Sequence, residues 1–162
     1  MTLQIQPAPV RRAVVVAATP ERAFRIFADD IGRWWPASHH VGASAMKDAV
    51  IEPRAGGRWY EIDDDGSECD WGQVLAWEPP HRLVLAWQLD AAFRYDPGLV
   101  TEVEVNFIPQ PDGRTRVELE HRNLERYAEA AEAVRGQVGG PGGWPAILEL
   151  YAQAVDASKP PS

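Results

Sequence analysis

The chain has 162 residues, of which 45% are apolar and 25% charged, and its net charge is −8. This is the size and balance of a single globular domain with a sizeable core, and the acidic excess disfavours nucleic acid or an anionic membrane surface as the main partner. No apolar run nears the roughly 20 residues of a membrane span, and the opening MTLQIQPAPVRR lacks a basic start followed by an apolar block, so neither a span nor a secretory signal is expected.

Residues 1–9 read as loose, with Pro7 and Pro9 close together. Residues 10–18, VRRAVVVAA, are β-branched and read as the opening strand. Thr19-Pro20-Glu21 then starts a helix: a threonine cap, proline at the first helical position, and a carboxylate near the positive end of the dipole. The spacing puts Ala23, Phe24, Phe27, Ala28 and Ile31 on one face of it, and Gly32 ends or bends it. Trp34-Trp35-Pro36 leads into a loop with His39, His40 and Gly42, and Val50-Ile51-Glu52-Pro53 reads as a short strand.

Residues 56–89 read as a three-stranded meander that holds four of the seven tryptophans. Its first strand, residues 57–63, ends in Asp63-Asp64-Asp65-Gly66, a strong hairpin signal expected to be a solvated tip. The second covers residues 71–77 and is stopped by Glu78-Pro79-Pro80-His81. Trp71 and Trp77 share a parity with Leu75, whereas Gly72 and Val74 share the other, so their side is left open. In the third strand, residues 82–89, Leu83, Leu85, Trp87 and Leu89 form the bulky face and Val84, Ala86 and Gln88 the lighter one.

Residues 90–98 read as a linker. Residues 99–109 and 115–122 are cleanly alternating strands around a Pro111-Asp112-Gly113 turn. Val103, Val105 and Phe107 share the apolar face of one; Val117, Leu119 and His121 share that of the other. The opposite faces are Glu/Arg-rich and read as a solvated surface with cross-strand ion pairs. Leu124, Tyr127, Ala131 and Val134 fall at helical spacing. After the Gly139-Gly140-Pro141-Gly142-Gly143 hinge, Trp144, Ile147, Leu148, Tyr151 and Val155 form the stripe of a helix packed on a sheet. Residues 158–162 should fray. The order strand, helix pair, about six strands, helix implies an α+β fold, a largely antiparallel sheet curled around one C-terminal helix.

Several motifs point to a family. Thr19-Pro20-Glu21-Arg22-Ala23-Phe24, Trp34-Trp35, Gly56-Gly57-Arg58-Trp59, Gly72-x-Val74, Glu78-Pro79-Pro80-His81-Arg82-Leu83 with Trp87, His121 and Gly143-Trp144 resemble the START-like (SRPBCC) helix-grip superfamily. The branch they resemble is the one named for the activator of the heat-shock-protein-90 ATPase, which also holds polyketide-cyclase-like bacterial proteins. The resemblance covers residues 10–157 of a single domain spanning 1–162. It implies about seven strands wrapped around a long C-terminal helix, two short helices after the first strand, and a cavity between sheet and helix for a small apolar or aromatic molecule.

On that reading Trp35, Trp59, Leu85, Trp87, Val105, Phe107, His121, Trp144 and Leu148 are expected to line the cavity. The seven tryptophans suit either an aromatic ligand or plain core filling. His121 lies on an apolar face and needs a partner, which a core or rim histidine finds more often in protein than in a ligand. His39-His40 lacks the spacing of a metal site, and the acids around Asp64 lack the twelve-residue calcium pattern, so no metal or other cofactor is expected. Cys69, the lone thiol, excludes an internal disulfide and fits a cytoplasmic protein. No catalytic motif stands out. The alternatives are a cyclase- or hydrolase-like enzyme using His121, or a modulator of a partner protein. A homodimer is left open.

Overall fold

The computed structural model describes residues 8–157; the expectations for residues 1–7 and 158–162 lie outside them. Strands β1 (Val10–Val16), β2 (Met46–Ile51), β3 (Arg58–Asp63), β4 (Glu68–Glu78), β5 (Arg82–Trp87), β6 (Thr101–Pro109) and β7 (Thr115–Arg122) form one antiparallel sheet. Their spatial order is β1-β7-β6-β5-β4-β3-β2, so a single crossing places β1 beside β7 and every other neighbour is a hairpin partner. Helices α1 (Pro20–Asp29) and α2 (Ile31–Trp34) follow β1; a 3-10 segment (Leu124–Ala130), α3 (Ala131–Gly139) and α4 (Trp144–Ala157) close the chain. The sheet curls around α4 in the helix-grip, α+β arrangement. Among the described residues no helix is long and apolar enough to cross a membrane.

Local chemistry accounts for the element ends. The Thr19 hydroxyl accepts from the Arg22 N–H at 3.3 Å and caps α1, with Pro20 next to it. Gly32 falls inside α2 rather than stopping a helix. It is needed there because a Cβ would lie 1.6 Å from Asp48 Oδ1 on β2. The 3-10 segment contains a break at Ala128, φ 53°, so the stretch from Leu124 to Val134 is two short helices where helical spacing suggested one. Its four apolar residues are nevertheless buried, and the Tyr127 hydroxyl donates to the Leu89 carbonyl.

The inner face carries the core. Val103, Val105 and Phe107 pair with His121, Leu119 and Val117 across β6 and β7, all 2% exposed or less. Ile147, Leu148, Tyr151 and Val155 of α4 are buried against the concave side, and the Tyr151 hydroxyl donates to the Ala23 carbonyl of α1 at 2.7 Å. Outside, Arg122 bridges Glu102, Glu104 and Glu120, and Arg82 reaches Glu104 at 2.9 Å. These are the cross-strand ion pairs expected of that face. The lighter face of β5 is buried too: Val84 and Ala86 are register partners of Glu104 and Glu102, and the segment after β5 folds back so that Gln88 donates to the Pro97 carbonyl.

Two β-bulges decide the side of Trp71 and Trp77. Trp71 is an extra residue against β3, and Leu75 is an extra residue against β5. The first turns Trp71 inward beside Gly72. The second restores Trp77 to the inner face opposite Leu83, where it packs edge-on against Phe24 at 5.0 Å and leaves Leu75 43% exposed. The acidic hairpin differs from expectation in one residue. Asp64, Asp65 and Gly66 are exposed, but Asp63 is 1% exposed, because β3 runs on through it with Trp59, Glu61 and Asp63 all on the buried side.

The grip makes a direct stability prediction. Leu148→Asp places an unpaired carboxylate at a position 2% exposed and is expected to cost more than about 4 kcal/mol, enough to unfold the domain. Leu150→Asp, at a position 36% exposed on the same helix, should stay within about 0.5 kcal/mol. Thermal melts of the two variants compare them; equal melting temperatures would show that α4 does not dock through Leu148.

Candidate functional site

At the end of the grip where α4 begins, the sheet and helix part to leave a cavity of about 550 Å³. One wall is the segment after α2, with Trp35, His39, His40 and Val41; a second is Trp71 and Trp87 on the sheet, continued by Leu89 and Phe93; the third is the turn between α3 and α4, with Val138, Gly143, Trp144 and Ile147. Ser38 and Gln137 add neutral polar groups, and among the described residues no Lys, Arg, Asp or Glu lines the cavity. Phe93, at φ 60° and 40% exposed, stands at its mouth.

Indoles build this wall as a connected cluster. Trp35 lies 5.0 Å from Trp71 and 5.9 Å from Trp144, ring centre to ring centre, and Trp87 lies 5.6 Å from Trp144. Trp59 sits behind them, 5.4 Å from Trp71 and 5.8 Å from Trp87. Most of these contacts are edge-to-face, the arrangement ring quadrupoles favour. Gly72 makes room for them: it is the register partner of both Trp59 and Trp87, and a Cβ there would lie 1.7 Å from the Ala86 carbonyl oxygen.

The indole N–H groups fix the rings. Trp35 donates to the His39 carbonyl at 3.0 Å, Trp71 to Glu61 Oε1 at 2.8 Å, and Trp144 to His121 Nδ1 at 3.1 Å. An indole can only donate, so His121 Nδ1 must be unprotonated and the ring proton resides on Nε2. Nε2 meets Thr101 Oγ1 at 2.9 Å, and that hydroxyl donates onward to the Trp87 carbonyl at 3.0 Å. His121 is thus fully satisfied and fully buried, and burial pushes its pKa down to about 3. A ring with both nitrogens engaged and no exposure holds the wall in place and is neutral at physiological pH.

The segment over the cavity is pinned at two points. His39 Nε2 donates to the Gly142 carbonyl at 2.7 Å, joining it to the α3–α4 turn, while Ser38 Oγ reaches His39 Nδ1 at 2.9 Å. Beneath it, the fully buried Glu61 accepts from the Val41 N–H and, through its other oxygen, from the Gly42 N–H at 3.2 Å. Burial alone would raise the Glu61 pKa; the hydrogen bonds from Asp63, Val41, Trp71 and Gly42 outweigh it and hold the carboxylate below its ordinary value.

Residues 17–155 match the model of the family described as activator of Hsp90 ATPase homolog 1-like protein. The chain belongs to that family. Among solved structures, the anthrahydroquino-gamma-pyrone synthase Txn09 is 39% identical, with 90% of this chain and 95% of that one covered and a TM-score of 0.63. The self-sacrificing resistance protein CalC from Micromonospora echinospora is 33% identical, with 92% and 94% covered and a TM-score of 0.69. The Aha1 dimer from Colwellia psychrerythraea, at 14% identity, 95% and 100% coverage and a TM-score of 0.62, shares the fold. Among curated proteins none matches the chain.

Within this activator-homologue fold the nine residues expected at the cavity divide. Trp35, Trp87 and Trp144 line it. Trp59, Leu85, Val105, Phe107, His121 and Leu148 are 2% exposed or less and fill the core between α4 and the sheet instead. The cavity therefore sits at the end of α4 rather than along its middle. Trp71, Glu61, Val41 and Phe93 were missed. Glu61 shares the parity of Trp59 on β3, which is a usable signal; the backbone N–H groups of Val41 and Gly42 leave none.

His121 gives this family member a measurable pH signature. An unfolded histidine takes up its proton near pH 6.5, whereas the folded one does so only near pH 3. Its contribution to stability is complete above pH 6.5 and is lost as pH falls through the window from 6.5 to 3, at up to about 1.4 kcal/mol per pH unit. His121→Gln, which does not titrate, is expected to be less stable at neutral pH but to lose less on acidification. Denaturant unfolding of both proteins at several pH values checks this; parallel stability curves would show that His121 is not held neutral.

Proposed function

We propose that the protein binds a flat, polycyclic aromatic molecule in the cavity beside the start of α4. The observation that carries this reading is the wall itself: four indoles, no Lys, Arg, Asp or Glu among the described residues that line it, and a volume within the roughly 300–1,000 Å³ of small-molecule pockets. Rigid aromatic faces offer large contact area to a flat ligand at little entropic cost. Two relatives above 30% identity are a gamma-pyrone synthase and a self-sacrificing resistance protein, and the first lends support because its name concerns the making of a small ring compound. A single thiol and helices too short and polar to cross a bilayer fit a cytoplasmic binder.

A second reading, ring-forming chemistry on the bound molecule, is favoured by the 39% identity to a synthase over nine-tenths of the chain. His121 does not serve it, being buried and doubly hydrogen-bonded. The titratable groups that line the cavity are His39 and His40, and proton transfer to a ligand would fall to them.

Titration of tryptophan fluorescence with flat polycyclic phenols, flat hydrocarbons and fatty acids tests the reading. The flat aromatics are expected to quench and saturate, the fatty acids to bind more weakly. Phe93→Ala at the exposed mouth and Trp87→Phe in the wall should each weaken binding by roughly 1 kcal/mol through lost aromatic contact. Native mass spectrometry of the complex separates binder from enzyme: a probe recovered at its starting mass supports binding, an altered mass supports chemistry. Failure of every flat probe to saturate would overturn the proposal.

A further inference from the structure

Behind the cavity wall lie two acids that contact with a ligand does not require. Glu61 and Asp63 are 0% and 1% exposed on the inward side of β3, with a carboxylate oxygen of each within 4.8 Å of the other. Glu61 holds the covering segment through Val41 and Gly42 and holds the Trp71 indole through the same carboxylate. Asp63 lies directly under that segment: a Cβ on Gly42 would fall 1.9 Å from Asp63 Oδ2, and Asp63 Oδ1 is buried with no hydrogen-bond partner among the described residues.

Among the described residues the surroundings offer no counter-charge. From β4, Cys69 Sγ is 4.0 Å from Asp63 Oδ2, and burial with the neighbouring acids pushes this thiol up, so it stays neutral. From the hairpin turn, the Ser67 hydroxyl donates its one proton to Asp65 Oδ1 at 2.6 Å and lies only 3.3 Å from Asp63 Oδ2, and Asp65 adds a like charge. On β2 the register partner of Asp63 is Met46, beside an exposed Lys47. The covering segment brings His40, whose Nδ1 donates to the Gly42 carbonyl at 2.9 Å. In this setting the Glu61 carboxylate, followed by burial, raises Asp63 to about 6.

We propose that Glu61 and Asp63 are a positioning pair for the cavity, which fasten residues 38–45 over it while they share one proton and loosen them once both are ionised. The ligand consequence rests on the binding reading above: a flat aromatic probe is held more tightly on the acidic side. Lifting the segment wets Asp63 and removes the burial part of its raised pKa while Glu61 stays beside it, so the open arrangement loses its proton at a lower pH than the closed one, and the closed arrangement weakens as pH rises to about 6 and then stays constant.

The test begins with the ligand-free protein. Amide hydrogen exchange of Val41 and Gly42, corrected for intrinsic base catalysis, should show protection roughly two- to fourfold higher near pH 5.5 than near pH 7.5. Asp63→Asn, whose amide donates to Glu61 at every pH, should keep the high protection and remove the pH dependence; Glu61→Gln should lower protection at both. His40→Asn should leave the pH dependence in place. Unchanged protection in the parent, a surviving pH dependence in Asp63→Asn, or its loss in His40→Asn would overturn the proposal. Titration with a flat phenol then reads the ligand arm: affinity should follow protection, roughly two- to fourfold tighter near pH 5.5 in the parent and level in Asp63→Asn. An intact exchange shift with pH-independent affinity would remove the pair from ligand positioning, whereas an intact shift with no probe binding would sink the binding reading instead.

Discussion

A single indole hydrogen bond ties the two halves of this molecule together. Trp144 is the first residue of α4, and its N–H donates to His121 in β7, whose Nε2–H donates to the Thr101 hydroxyl in β6, which in turn donates to the Trp87 carbonyl of β5. Every group in that chain is buried, and each donor has one acceptor. Removing any member leaves a partner without its bond in a dry core, at a cost of about 1–3 kcal/mol for each orphaned group. The direction of the chain also fixes the histidine tautomer without any charge. The start of α4 is thereby held against three adjacent strands, and the cavity opens at that fixed corner.

Much of the frame was legible because period and burial agree. Alternation in β6 and β7 is uninterrupted, and the inner residues named from it are the buried ones. The α4 stripe is equally direct. The site was harder to read for a geometric reason. Each bulge in β4 adds one residue, and each addition reverses the sides of everything beyond it. Two additions four residues apart cancel for Trp77 and leave Trp71 and Gly72 turned the same way, which no strict period of two can express.

The acidic run conceals a different boundary. Five carboxylates between residues 61 and 68 look uniform in sequence, yet Glu61 and Asp63 belong to a strand under a loop and Asp64, Asp65 and Glu68 to solvent. Parity with Trp59 separates the first two from their neighbours. The groups that make Glu61 useful are main-chain N–H donors of a loop whose course no local pattern dictates. For the same reason the cavity was expected along α4, where side chains repeat, and lies instead among loops and helix ends.

The aromatic wall has an optical consequence. Trp35, Trp59, Trp71, Trp87 and Trp144 stand 5.0 to 6.1 Å apart as one contiguous set. Indoles at such separations couple their transition dipoles, so light absorbed by one is shared among all. Emission from the five is collective: an acceptor touching Trp87 drains excitation from Trp59, which it never meets. The same coupling, held in a chiral arrangement by the packing of the rings, gives the folded chain a paired band of opposite signs in its circular dichroism, and that band changes when the corner at Trp144 comes apart and two of the six ring contacts are lost.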